Sequence, residues 1–185
     1  MVRATLAALA LALATPALAQ QANPPAQGTD WFKEFGVERP KPDPATGEVP
    51  VPPYPVANAN AGASPFAGAA MAQAFGGQAG VHRLAARLVE LITTDPAISN
   101  IFVATDKVRL QRTLYEQVCY IVNAGCAYTG RDMREAHRQL GLKTRDLNAL
   151  VVDLQRAMHE QGIAFAAQNR LLAKLAPMQR DVVTR

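Results

Sequence analysis

The stretch Tyr128–Leu142, YTGRDMREAHRQLGL, holds one of the chain's three histidines. Charged residues flank His137, yet Met133 stands four positions before it and Leu140 three after. On a helix, residues three and four apart share a face. A helix here therefore turns His137 toward the side of Met133 and Leu140, while Arg131, Asp132, Arg134, Glu135 and Arg138 point mostly elsewhere. Gly141 suits the stop of such a helix. The pattern asks why an imidazole sits on the apolar side of a short charged helix.

Outward from this stretch the pattern is helical, with neither a period-two strand pattern nor an internal repeat. Val81, Leu84, Ala85, Leu88 and Ile92 form one apolar stripe that ends at Asp95-Pro96. After a short turn, Thr105 is placed to cap a helix running to about Val122. That helix has two apolar stripes. One is Leu110, Leu114, Val118 and Ile121; the other is Val108, Tyr115, Cys119 and Val122. A helix apolar on two sides lies between two layers. Thr144 opens a further helix through Leu147, Leu150, Val151, Leu154 and Met158, stopped near Gly162. A last helix starts near Phe165 and is kinked or ended at Pro177.

The foldable part begins near Met71 and runs to residue 185. Before it the composition changes. Ten of the chain's 13 prolines fall between Gln20 and Ala70, a segment without the periodic apolar face that builds a core. It is expected to be a largely disordered, semi-rigid extension. Trp31, Phe32 and Phe35 form an isolated aromatic cluster in it, expected to be a loosely ordered tail unless it docks on the domain or a partner.

The first 19 residues read as a secretory signal peptide. Arg3 gives a positive start, Leu6 to Ala14 an apolar core, and Ala17-Leu18-Ala19 a cleavage signal. The alternative is an uncleaved membrane anchor, disfavoured by the short apolar run. Export implies a periplasmic or secreted protein with no membrane attachment after cleavage. Losing Arg3 takes the formal charge from +4 to +3. The surplus is unclustered, which argues against nucleic-acid binding. Cys119 and Cys126 fit neither C-x-x-C nor C-x-x-C-H, so thioredoxin-like chemistry and covalent c-type haem attachment lack support. They are either a disulfide or two small buried thiols.

A lone histidine on an apolar face is most often a satisfied core residue. Metal sites made of protein ligands alone need three or four of them. His82 and His159 fall on other helices, and no His/Asp/Glu cluster accompanies His137. One imidazole does suffice for haem iron, because the macrocycle supplies four nitrogens. Haem also needs a wide apolar slot, and the second stripe of the Thr105 helix, Val108, Tyr115, Cys119 and Val122, is suited to wall it.

At these residues the chain resembles the group I truncated haemoglobins. The resemblance lies in FGGQAGVHRLAARLVELITTDPAISNIF, in AGCAYTGRDMREAHRQLGL and in FAAQNRLLAKLAPMQRDVV, together covering about Phe75 to Val183. It implies an all-α, two-over-two helical sandwich around haem b. It places His137 at the proximal iron ligand and Phe102 at an aromatic packed on the haem. Met133, Leu142, Leu147 and Leu150 fall on proximal or edge pocket positions. Leu110 and Leu114 fall on distal positions facing the sixth coordination site. Arg109, with Lys107 as alternate, falls near a haem propionate. Gly76 and Gly77 match a glycine pair at a helix junction.

The chain departs from that family in its distal pocket. Where many members have a tyrosine and a glutamine that hydrogen-bond bound oxygen, Val89 and Leu114 stand here. Tyr115 and Gln117 are the nearest polar candidates. The resemblance implies a diatomic gas (O2, NO, CO) as ligand, possible redox chemistry with an unidentified electron donor, and a monomer or weak homodimer. A haem enzyme, such as a nitric oxide dioxygenase or peroxidase-like protein, and a haem-free interaction module are the rival readings.

Overall fold

The computed structural model describes Gly36, Glu38 and residues 40–185. The expected signal peptide and the Trp31 cluster lie outside the described residues. Among the described residues there is no strand. Seven α-helices follow one another among the described residues: α1 (Ala70–Ala74), α2 (Gly77–Ile92), α3 (Lys107–Ile121), α4 (Met133–His137), α5 (Thr144–Glu160), α6 (Phe165–Leu175) and α7 (Gln179–Val182). Single 3-10 turns lie at Asn58–Ala61, Ser99–Phe102 and Ala176–Met178.

The α2 stripe works as its spacing requires. Val81, Leu84, Ala85, Leu88 and Ile92 are each at most 3% exposed. This face lets α2 pack on both α3 and α5, which makes it the central helix of the core. The core closes with Phe75, Ile98, Ile121, Met158 and Leu171, all buried. α2 starts tightly against α1. Gly76 and Gly77 both have positive φ, 72° and 61°, a region that a residue without Cβ enters freely.

Helix starts sit one residue away from their expected caps. Asp106, not Thr105, caps α3: its Oδ1 accepts from Val108 N at 3.0 Å and Arg109 N at 3.1 Å. A carboxylate satisfies two orphan amides at once and suits the positive end of the helix. Thr144 is the first residue of α5 rather than its cap, and the Asp146 carboxylate reaches back to Lys143 N at 2.8 Å. α6 ends before Pro177 as expected, in the 3-10 turn that leads to α7.

The extension is the main departure from expectation. From Pro40 onward it belongs to the same compact unit as the helices. Asp106 Oδ2 accepts from Val49 N at 2.7 Å. Glu48 lies between two cations, with Oε2 3.1 Å from Arg109 Nε and Oε1 bonded to Arg112 Nε. Further along, Tyr54 donates to the Thr129 carbonyl at 3.1 Å, and Asn58 accepts from Tyr128 N at 2.8 Å. Residues 40–70 therefore are not a disordered arm. Proline already restricts the unfolded chain, so ordering this strap costs less conformational entropy than ordering an ordinary loop. Its anchors are polar, and apolar periodicity does not report polar anchors.

No helix among the described residues is long and apolar enough to cross a membrane. Cys119 and Cys126 form a disulfide with a Cα–Cα distance of 5.6 Å, tying α3 to the loop before α4.

Candidate functional site

α4 is a helix of five residues, too short to be stable alone. It is started by Asp132, whose Oδ1 accepts from Glu135 N at 3.0 Å. It delivers His137 to a cavity of about 270 Å3 between α3, α5 and the turn after α2. His137 Nδ1 is 2.7 Å from the Met133 carbonyl oxygen. A carbonyl only accepts, so Nδ1 carries a proton, and in the neutral ring the lone pair is then on Nε2. That is the tautomer a metal-binding imidazole needs, held by the kind of partner that fixes ring orientation in metal sites.

The cavity brings together most of the residues expected there. Phe102, Leu110, Leu114, His137, Leu142, Leu147 and Leu150 all line it. Leu110 and Leu114 come from the first stripe of α3, one turn apart, so that stripe and not the expected second one walls the cavity; Cys119 and Val122 of the second are buried in the core instead, and Leu147 and Leu150 line the cavity from α5. Ile92, Ile98, Ile101 and Val182 add further apolar wall that sequence reading did not assign to the site. Ile92 was visible as the last member of the α2 stripe. Val182 was not, because it lies beyond Pro177 on the short α7, whose packing on α4 leaves no local trace in the sequence.

Three expected site residues stand elsewhere. Val89 is buried at 7% exposure but is not in the lining; Ile92, three residues further along, represents α2 there. An ungapped register cannot resolve a helix rotation of that size. Met133 is buried in the core beneath α4 and is not part of the cavity wall. The face shared by Met133, His137 and Leu140 does not form either, because α4 ends at His137 and leaves Leu140 47% exposed at the cavity rim. Arg109 is engaged by Glu48 and by the Val49 carbonyl.

Neither polar candidate for the distal side reaches the cavity. The Tyr115 hydroxyl is 3.3 Å from Cys126 Sγ, and its ring meets His82 edge-on at a centroid distance of 5.6 Å. Gln117 donates to the Ala61 carbonyl at 2.9 Å. The polar groups in the lining are Thr105, His137 and Asp146. Asp146 is occupied as the N-terminal partner of α5.

One imidazole in an apolar cavity fits a planar macrocycle that brings its own nitrogens. It does not fit a metal held by protein ligands alone, and no group of three or more His, Cys, Asp or Glu that could hold one is present among the described residues. The volume lies just below the usual range for cofactor pockets, roughly 300–1,000 Å3.

The fold recurs in solved structures. The truncated haemoglobin of Tetrahymena pyriformis in its Fe(III) form superposes with a TM-score of 0.60 at 17% identity, covering 62% of this chain and 98% of that one. The 2/2 haemoglobin of Synechococcus sp. PCC 7002, in the cyanomet state and with covalently attached haem, gives 0.58 at 20% identity, with the same two coverages of 62% and 98%. At these identities the likeness concerns the fold. No curated protein matches the chain by sequence. The family model for bacterial-like globins matches residues 71–184, from α1 to the residue before the C-terminus, and the chain belongs to that family.

Proposed function

We propose that this globin holds haem b through His137 Nε2, is of the group I type, and binds a diatomic gas in an apolar distal pocket. The observation that carries the reading is the His137 imidazole, its Nδ1 committed to the Met133 carbonyl, in one cavity with Phe102, Leu110, Leu114, Leu142, Leu147 and Leu150. When bound, the haem iron supplies reversible gas coordination and one-electron redox chemistry. The chain's part is to hold and shield it. His137 anchors the proximal side. Phe102 and the leucines exclude water and contribute apolar contact, worth about 25 cal/mol per Å2 buried. Arg109, with the exposed Lys107 as alternate, takes the propionate role at the start of α3, where Glu48 already engages Arg109. Leu110 and Leu114 themselves offer a gas ligand no hydrogen bond.

Export to an oxidising compartment accompanies this reading. The Cys119–Cys126 disulfide supports it, since such bonds persist outside the reducing cytosol. The test is a haem titration of the full chain, read by absorption. Saturation at one haem per chain, and a carbon monoxide difference spectrum in the ferrous protein, are expected. Haem uptake that never saturates would sink the reading.

A further inference from the structure

Gln117 lies on the helix that carries the distal leucines, yet it faces the proximal side. Its Nε2 donates one hydrogen to the Ala61 carbonyl at 2.9 Å. The same nitrogen is 3.2 Å from Met133 Sδ and 3.7 Å from Met178 Sδ. A primary amide has two hydrogens, so the second is directed at the thioethers, which are weak acceptors. Met133 is 8% exposed and opens α4; its carbonyl receives His137 Nδ1 at 2.7 Å. One residue thus carries the contact with Gln117 on its side chain and the contact with His137 on its backbone.

The surroundings leave this cluster little slack. A Cβ on Gly62 would come within 3.0 Å of both Met133 Cγ and Met178 Cε. Glycine there, at φ 79°, is what allows the two methionines to close on Gln117. The ion pair from α4 to α7, Arg134 to Asp181 at 2.8 Å, has its arginine 72% exposed and is worth little. A helix of one turn has no stiffness of its own. Its direction is therefore set where its buried end is gripped.

We propose that Gln117 is a positioning residue for His137, acting through Met133: it fixes the start of α4 and with it the imidazole's orientation and tautomer. This rests on His137 being the iron ligand. Partners that orient a metal-binding histidine typically change metal affinity about 10–100-fold when removed.

The test uses the full chain with Gln117→Met, Met133→Leu and the double variant, each keeping apolar volume while removing the amide–thioether contact. With haem bound, either single variant should release haem to an acceptor globin about tenfold faster and shift the iron–histidine stretching band in resonance Raman spectra. The double variant should be no worse than the more affected single one. In the haem-free protein, the His137 ring nitrogens should show one tautomer by NMR in the unchanged chain and a mixture in the variants. Two independent, additive effects would overturn the proposal. So would a lowered melting temperature with haem release, Raman band and ring-nitrogen spectrum unchanged. If the unchanged chain binds no haem, the iron reading fails, and the ring-nitrogen spectrum still decides Gln117. If Gln117→Met does not fold, a single-tautomer spectrum in Met133→Leu overturns the proposal and a mixed one supports it.

Discussion

Glu48 Oε2 stands 3.1 Å from Arg109 Nε, across 61 residues of sequence. The contact ties the Pro-rich segment to the helix whose next residue, Leu110, lines the His137 cavity. Glu48 also bonds Arg112, which reaches Glu116 at 2.9 Å; Glu116 in turn receives Thr129 N at 2.8 Å. A chain of charge-assisted bonds therefore runs from the strap through α3 to the loop that delivers α4.

Glu48→Gln should destabilise the protein by about 1–3 kcal/mol at neutral pH, since it removes partly buried bonds to charged groups. The Arg112 hydrogen bond first, and Arg109 with it, hold the Glu48 carboxyl below its ordinary value of 4.5 against the opposing effect of burial. A lowered folded-state pKa gives stability that is present above the unfolded value and lost as pH falls through the folded one. The gap between Glu48→Gln and the unchanged protein should thus close in acid, below about pH 4.5. Chemical denaturation from pH 3 to 7 measures it, and a gap independent of pH would count against the ion-pair strap.

Asp153 makes the opposite case. It is 7% exposed, its Oδ2 has no hydrogen-bond partner, and burial first, then the Asp95 charge, pushes its carboxyl above the ordinary 3.8. A raised folded-state pKa favours the fold while the group is protonated, and the penalty appears as pH rises through the folded value. Asp153→Asn should raise the melting temperature at pH 7, with the gain gone near pH 3.8. Calorimetry across that range checks it; a variant less stable at pH 7 would show that the carboxylate has a partner.

Reducing the Cys119–Cys126 bond should cost about 2–3 kcal/mol, the range expected for a short closed loop. Thermal melts with and without reductant, with thiol counting, test this. An unchanged melting temperature after both thiols appear would remove the disulfide from the list of contacts that hold the loop before α4.

The helices were legible because their apolar stripes are long. Val81 to Ile92 and Leu147 to Met158 each repeat a helical period; the first stripe is buried throughout, and the second is buried at Leu154 and Met158 and half-buried at Leu147, Leu150 and Val151, the first two of which line the cavity. His137 was legible because one imidazole stood out on a short charged helix. Several features are set by contacts distant in sequence and leave no local trace. Glu48 looks like an isolated charge among prolines, and only Arg109 and Arg112 give it a role. Val89 and Ile92 differ by a helix rotation that hydrophobicity does not distinguish, as both are apolar. Gln117 sits close to Leu114 in sequence, but the helix turns it to the proximal side, where Met133 and Met178 converge.

Leu110 and Leu114 give the distal side its character. Oxygen should dissociate rapidly, and Leu114→Gln should slow its release about tenfold to a hundredfold by adding one charge-assisted bond of roughly 1.5–3 kcal/mol. Carbon monoxide release should change much less. Stopped-flow kinetics of both gases decide the matter; slow oxygen release from the unchanged protein would reveal a donor such as Thr105 reaching the ligand.

The most direct measurement is the haem content of His137→Ala beside His82→Ala and His159→Ala, each purified as the full chain and read from its Soret band. His82 and His159 are both exposed and outside the cavity that His137 lines. The account predicts that only His137→Ala loses stoichiometric haem, and that free imidazole restores it. Unchanged haem in His137→Ala, or its loss in His82→Ala or His159→Ala, would contradict it.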